Sequence, residues 1–262
     1  MPIRLATFNC ENLFARYRFR SNFSPQADDG FTRNDLAFEI HEEDDKKITA
    51  KAVREADADI ICLQEVESME VLDRFCSRYL ASMKYTHRIV IDTHDPRFID
   101  VAVLSRYPFT RLVTHRDERN AKNTTWLFSR DCLEATVRVE NKFLHLYVNH
   151  LKSMMDRNAP AGQGRKTTKA RRVEQSKRVA EIVDEAWKPV GYNGNFVVAG
   201  DLNDYVDAQT GIKALTSHPK LVNVVNRLPA KDRWTHFWSG GNEYRQLDYL
   251  LVSKVLAEGN DG

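Results

Sequence analysis

The sequence predicts an α+β protein in which helices are layered over sheets, and three patterns predict it. Early in the chain, two apolar strand-like runs are each followed by a helix-period segment. The middle third carries five short strand-like runs with no long helical pattern between them. The last third offers one long amphipathic helix and then buried strands again.

At 262 residues two small domains would fit, but layered chains of this length also form one, and a single domain over 1–262 is expected. The 42% hydrophobic and 29% charged fractions are those of an ordinary globular chain, which excludes disorder as the default. Lys and Arg number 39 against 37 Asp and Glu, so any affinity for nucleic acid must come from a local patch. No apolar run reaches membrane-spanning length and Met1 to Arg4 leads straight into a strand; a cytoplasmic protein is expected. Cys10, Cys62, Cys76 and Cys132 are scattered without metal-ligand spacing and read as reduced core thiols.

Ile3 to Phe8 is the opening strand, and it closes on Asn9-Cys10-Glu11-Asn12. Arg16-Tyr17-Arg18-Phe19-Arg20 interleaves cations with aromatics, the pattern of an exposed edge or of a grip on phosphates and bases. A polar excursion over 22–47 ends in the acidic run Glu42 to Asp45, which suits a helix N-terminus. Ile48, Ala52, Val53 and Ala56 supply that helix with its apolar stripe. Ile60 to Val66 follows as a buried strand. Its Glu65 would be costly to bury without a cation or strong donors, which points to a metal or an ion pair. Met69 to Ala81 is the second helix.

Tyr85–Ile91, Asp100–Leu104, Phe109–His115, Cys132–Glu140 and Lys142–Val148 read as a sheet meander, the last delivering Asn149, His150 and Lys152. Arg165 to Trp187 is a helix with Val173, Val179, Ala180, Val183 and Trp187 on its stripe. The cations of its front half, Arg171 and Arg172 among them, form a solvated face or a phosphate-facing rim. Phe196 to Ala199 is then a buried strand. Gly200 turns it, and Asp201, Asn203 and Asp204 follow at once, as either a metal- and phosphate-binding end or an Asx turn. Ile212 to Thr216 is a short helix, Trp234 to Trp238 an aromatic strand, and Tyr244 to Val252 a strand carrying a buried Asp248.

Five of these stretches resemble, in order, the motifs of the endonuclease/exonuclease/phosphatase family, which includes deoxyribonuclease I. They are Thr7-Phe8-Asn9, Leu63-Gln64-Glu65, Asn149-His150-Leu151-Lys152-Ser153, Gly200-Asp201-Leu202-Asn203 and Gln246-Leu247-Asp248-Tyr249. The resemblance implies a four-layer α/β/β/α sandwich of two mixed sheets with helices outside. It further implies magnesium, with manganese as the alternative, held by Glu65 with Asn9 and Glu11. Asp201 would orient or deprotonate water, Asn203 and His150 would meet the phosphate, and Asp248 would steer a catalytic histidine. Lys152 and Arg172 are the candidate phosphate contacts.

One departure stands out. The family pattern ends in a Ser-Asp-His motif on a last strand, and no histidine follows Asp248 in this sequence. Continuation of the natural chain past Gly262 is expected to supply it; an incomplete site, or substitution by His236, is the alternative. The expected activity is metal-dependent phosphodiester hydrolysis by a monomer acting on nucleic acid. A phospholipid or inositol-phosphate headgroup is the second substrate, and a non-hydrolytic scaffold the rival class.

Overall fold

Ile60 to Leu63 leave their strand no polar face, so it must be covered on both sides. The structure, a computed structural model, describes residues 2–13, 17–19, 38–40 and 43–259, with the backbone alone for 17–19, 38–40 and residue 43. In chain order the first half holds β1 (Leu5–Leu13), β2 (Tyr17–Phe19), β3 (Phe38–Ile40), α1 (Glu43–Ala56), β4 (Ile60–Val66), α2 (Met69–Tyr79), β5 (His87–Val90), β6 (Asp100–Ser105) and β7 (Phe109–Val113). The second half holds β8 (Cys132–Val139), β9 (Lys142–His150), α3 (Gly164–Trp187), β10 (Phe196–Asp201), α4 (Lys213–Thr216), β11 (Leu221–Asn223), β12 (His236–Trp238), β13 (Glu243–Arg245), β14 (Asp248–Ser253) and α5 (Lys254–Glu258).

Two mixed sheets result, ordered β1-β4-β6-β5 and β11-β14-β10-β9-β8-β7. In the first only β1 and β4 are parallel, and in the second only β9 and β10. Alternation along each central strand sorts its side chains between two cores. On β4, Ile60 and Cys62 face the second sheet, where they meet Leu133, Leu146, Val197 and Ala199. Ile61 and Leu63 face α1 and α2, against Val53, Leu72 and Phe75. On β10, Val197 and Ala199 face the first sheet, while Phe196 and Val198 pack beneath Val179 and Val183 of α3. The layers are therefore helix, sheet, sheet, helix, the sandwich expected of the chain. All four cysteines are free and buried.

Several local expectations shift. Ile48 is exposed, and the buried side of α1 is Ala50 and Val53. Val173 is also exposed: the inward stripe of α3 is Thr168, Arg172, Gln175, Ser176, Val179, Ala180, Ile182 and Val183, half of it polar. The strand expected over Tyr244 to Val252 is two strands. β13 pairs only with β12, and β14 joins the second sheet. The Arg16–Arg20 run and most of the polar excursion over 22–47 lie outside the described residues, apart from the backbone of the antiparallel pair β2 and β3.

Candidate active site

The inner ends of the two sheets meet at one cluster, and each sheet delivers its side chains differently. In the second sheet delivery is regular. His150 of β9 lies opposite Asp201 of β10, and Asp201 opposite Asp248 of β14, so three titratable residues end three neighbouring strands at one level. Gly200 makes this possible. Its φ is +131°, and a Cβ there would stand 1.9 Å from the carbonyl oxygen of Asn149 on β9.

In the first sheet delivery depends on a bulge. Asn9 pairs with Gln64, but the next pair is Leu13 with Val66, leaving Cys10, Glu11 and Asn12 opposite Glu65 alone. The β4–β6 ladder skips Glu65 as well. Simple alternation would turn Glu65 towards the helices with Ile61 and Leu63. The bulge, with Glu65 at φ +64°, turns it to the sheet interface instead. Glu11 (φ +48°) and Asn12 (φ +69°) share the left-handed conformation, backbone strain concentrated beside the cluster.

Asn9 bridges the sheets. Its Nδ2 donates to Asp201 Oδ2 at 3.1 Å and, more weakly, to Glu65 Oε1 at 3.5 Å. His150 Nε2 stands 3.7 Å from Asp201 Oδ2 and 3.8 Å from Glu65 Oε1. Burial, reinforced by the charges of Arg130 and Arg97, holds this imidazole well below its ordinary pKa. It is neutral at pH 7, so these distances are contacts rather than ion pairs, and among the described residues its buried Nδ1 has no hydrogen-bond partner. Burial and then the Asp248 charge push the Asp201 carboxyl up; burial also raises Asp248, against a bond from Thr235 and the influence of His236. One buried oxygen of Asp248, Oδ1, is unpartnered. Asn203 (φ +53°) closes an Asx turn, its N–H donating to Asp201 Oδ1 at 2.8 Å and its side chain to the Leu151 carbonyl at 3.1 Å.

The cluster floors a cleft of about 1280 Å³ lined by Asn9, Glu11, Glu65, Asp201, Asn203 and Asp248, with His150 buried just beneath. Its walls are the 153–162 loop and the segment Thr235 to Trp238, which brings His236 in on the side of Asp248.

Other expected residues go elsewhere. Arg172 is fully buried, and the rim role expected of it is corrected. Its Nε donates to Asp204 Oδ2 at 2.9 Å, and its remaining donors are taken up by Thr168 and by carbonyls of Lys152, Ser153 and Arg165. An inward helix position forces that arrangement, because a buried cation needs every donor met. Asp204 is spent in the same network. It accepts from Arg165 Nε at 2.7 Å and from the N–H of Gly211 at 2.7 Å, so it holds the loop after β10 against α3. Lys152 donates Nζ to the Met155 carbonyl at 3.1 Å and does not line the cleft.

Sequence reasoning missed Arg97 on the cleft wall and the buried pair Arg130–Asp95 (2.8 Å) near His150. It also missed Thr235, whose hydroxyl accepts from the N–H groups of Leu247 and Asp248, both at 3.0 Å. Only the cost of burying Asp95 and Arg130 could have flagged that pair; Arg97 sits in a stretch with no pattern, and Thr235 in an aromatic strand where nothing marks its hydroxyl.

Among the described residues no three His, Cys, Asp or Glu side chains form a ready metal-binding group. The donors that do converge are carboxylate and amide oxygens opening on a cleft. That chemistry suits a hard divalent cation held by one or two carboxylates and completed by water, and the mutually unfavourable Asp201 and Asp248 would gain from its charge.

A family model described as Endonuclease/Exonuclease/phosphatase family matches residues 4–261. No match was found among curated proteins. Among solved structures, the human Nocturnin catalytic domain with bound sulfate anion aligns at TM-score 0.57 and 16% identity, over 80% of this chain and 75% of that one. Sphingomyelinase C from Streptomyces griseocarneus aligns at 0.55 and 17%, over 97% and 85%. A mannosyl-6-phosphatase from Bacteroides thetaiotaomicron aligns at 0.58 and 15%, over 97% and 86%. At such identities the likeness is one of fold. Among the described residues no helix is long and apolar enough to cross a membrane.

Proposed function

Because the chain belongs to the endonuclease/exonuclease/phosphatase family, a family of phosphoester hydrolases, we propose that this protein is a divalent-metal-dependent phosphodiesterase acting on nucleic acid. The observation that carries the reading is the convergence of Asn9, Glu65, His150 and Asp201 from four strands of two sheets on one cleft floor. Structural upkeep does not require such an arrangement, since it places two carboxylates and a neutral imidazole where apolar packing would be more stable.

In this reading Glu65, with Asn9 and Glu11, would hold magnesium or manganese, and the ion when bound neutralises charge on the phosphate. Asp201 orients a water for in-line attack at phosphorus, its other oxygen fixed by the Asn203 N–H. Asn203 and the neutral His150 act as hydrogen-bond donors to the phosphoryl oxygens as charge builds there. Asp248 would steer a catalytic histidine, for which His236 in the same cleft wall is the candidate. A single domain spanning 1–262 carries this chemistry.

The test is nicking of supercoiled plasmid with magnesium, with chelator and Asp201→Ala as paired controls. Magnesium-dependent nicking lost in both controls supports the reading. A folded protein that binds magnesium without nicking would transfer it to lipid or small phosphoesters, and one that binds no metal would favour a scaffold.

A further inference from the structure

The ribbon β12–β13 is built against the usual economy of burial. Trp234, Phe237, Trp238 and Tyr244 are between 42% and 56% exposed, a concentration of aromatic surface found nowhere else among the described residues. Patches of this kind mark interaction surfaces. Among the described residues the ribbon pairs with no other strand. It is tied instead to the floor of the cleft, because the Thr235 hydroxyl accepts from the N–H of Asp248.

Its aromatics fall into two sets. Trp234 and Phe237 each pack on Tyr244, with ring centroids 4.7 Å from it. Trp238 stands outside that cluster and lines the cleft, and its ring lies over the Gly240–Gly241 turn. A Cβ on Gly241 would come within 2.3 Å of the ring, so the two glycines leave room for one held orientation. Beyond it the wall continues with Tyr205, whose ring lies under Arg165 (4.7 Å) and Arg245 (5.4 Å). The carboxylate floor is thus bordered by flat π surfaces and guanidinium groups.

We propose that Trp238 is a stacking platform for an unpaired base flanking the scissile phosphate, which makes single-stranded nucleic acid the substrate class. This inference rests on the phosphodiesterase reading above. Charge complementarity favours this occupant. Arg97 and Arg157 line the cleft and suit a polyanion, while Arg165 is held by Asp204 and Asp207. Glu243 lies directly opposite Trp238 across the ribbon, a carboxylate that would resist insertion into acyl chains while leaving the indole face open to a base.

The experiment compares a fluorescent single-stranded oligonucleotide with one of the same length whose residues are abasic, for wild type, Trp238→Ala and Trp238→Phe. Base stacking predicts roughly five- to 150-fold higher kcat/KM on the base-bearing strand. Trp238→Ala should erase that ratio, and Trp238→Phe should restore most of it. Quenching of tryptophan fluorescence by the oligonucleotide in Asp201→Asn, lost on adding Trp238→Ala, supplies a readout independent of turnover. Cleavage with an unaltered ratio in Trp238→Ala would overturn the stacking role and leave the nuclease standing. Absence of both cleavage and quenching would remove the nuclease reading itself. A Trp238 response to sphingomyelin vesicles alone would overturn the proposal in favour of a lipid surface.

Discussion

The two sheets reach the same cleft by opposite means. The second presents His150, Asp201 and Asp248 from strand ends in unbroken register, needing only Gly200 for close approach. The first presents Glu65 through a bulge in which three residues of β1 face one of β4, with Glu11, Asn12 and Glu65 at positive φ. The regular sheet therefore concentrates its cost in electrostatics, like charges crowded at one level. The bulged sheet concentrates its cost in backbone conformation.

The largest effect should follow from relieving the electrostatic cost. Asp201→Asn removes the carboxylate proposed to orient water, and turnover should fall about 10²- to 10⁴-fold. Stability should move the other way. The folded Asp201 binds its proton more tightly than the unfolded one, so the wild-type protein loses stability as pH rises from the ordinary carboxylate range through the raised folded value. In chelator at neutral pH, urea denaturation should find Asp201→Asn more stable than wild type. An equal or lower midpoint would show that the second sheet carries no such cost.

Arg172→Met comes next. Removing one of the two cations that meet buried Asp204, with Arg165 remaining, should cost about 1–3 kcal/mol, read from denaturation, with KM for substrate near wild type in the protein that folds. A raised KM with unchanged stability would return Arg172 to the phosphate-facing role its sequence suggests. For the bulged sheet, Glu65→Gly should leave stability within about 1 kcal/mol of wild type, because relief of the positive φ offsets the extra chain entropy of glycine, while magnesium-dependent activity disappears. The same change at His150, in an unstrained strand, should cost about 2 kcal/mol or more. Similar losses at both positions would mean that the bulge stores no strain.

The polar groups that end apolar runs were legible in the sequence. Asn9, Glu65, His150 and Asp201 each follow or close such a run, and desolvation makes that placement informative. The layers were legible for the same reason, since Ile60 to Leu63 and Phe196 to Ala199 demand cover on both faces. What escaped was polar burial within a helix. Period reading chose Val173 as an inward residue, whereas Thr168, Arg172, Gln175 and Ser176 face inward, held by ion pairs and carbonyls that a hydrophobic pattern cannot show. The aromatic strand read over Trp234 to Trp238 is a strand at His236–Trp238, but its exposure was not legible, because apolar composition alone does not say whether a face is covered.

The smallest effect tests whether charge crowding in the second sheet is confined to the cleft. At its β7–β8 edge His115, which does not line the cleft, is held between two carboxylates. Nδ1 lies 2.7 Å from Glu118 and Nε2 2.8 Å from Glu134, with Arg178 on Glu118, Arg111 on Glu134, and Asp131 accepting from the His115 N–H at 2.7 Å. Burial works against the imidazolium, but Glu134 and Glu118 prevail and its pKa is raised; both carboxylates, partly buried themselves, are lowered by their cations. The imidazolium's contribution is complete below the ordinary histidine value and is lost as pH rises through the raised folded value. The carboxylates' contribution is present above their ordinary values and is lost as pH falls through the lowered ones. The cluster should therefore stabilise the fold most between those limits, in mildly acidic solution. His115→Gln should reduce stability there and converge on wild type at alkaline pH, as thermal melts across pH would show. A constant difference at every pH would mean that His115 contributes packing alone, and that the charged groups of the second sheet act on stability only where they line the cleft.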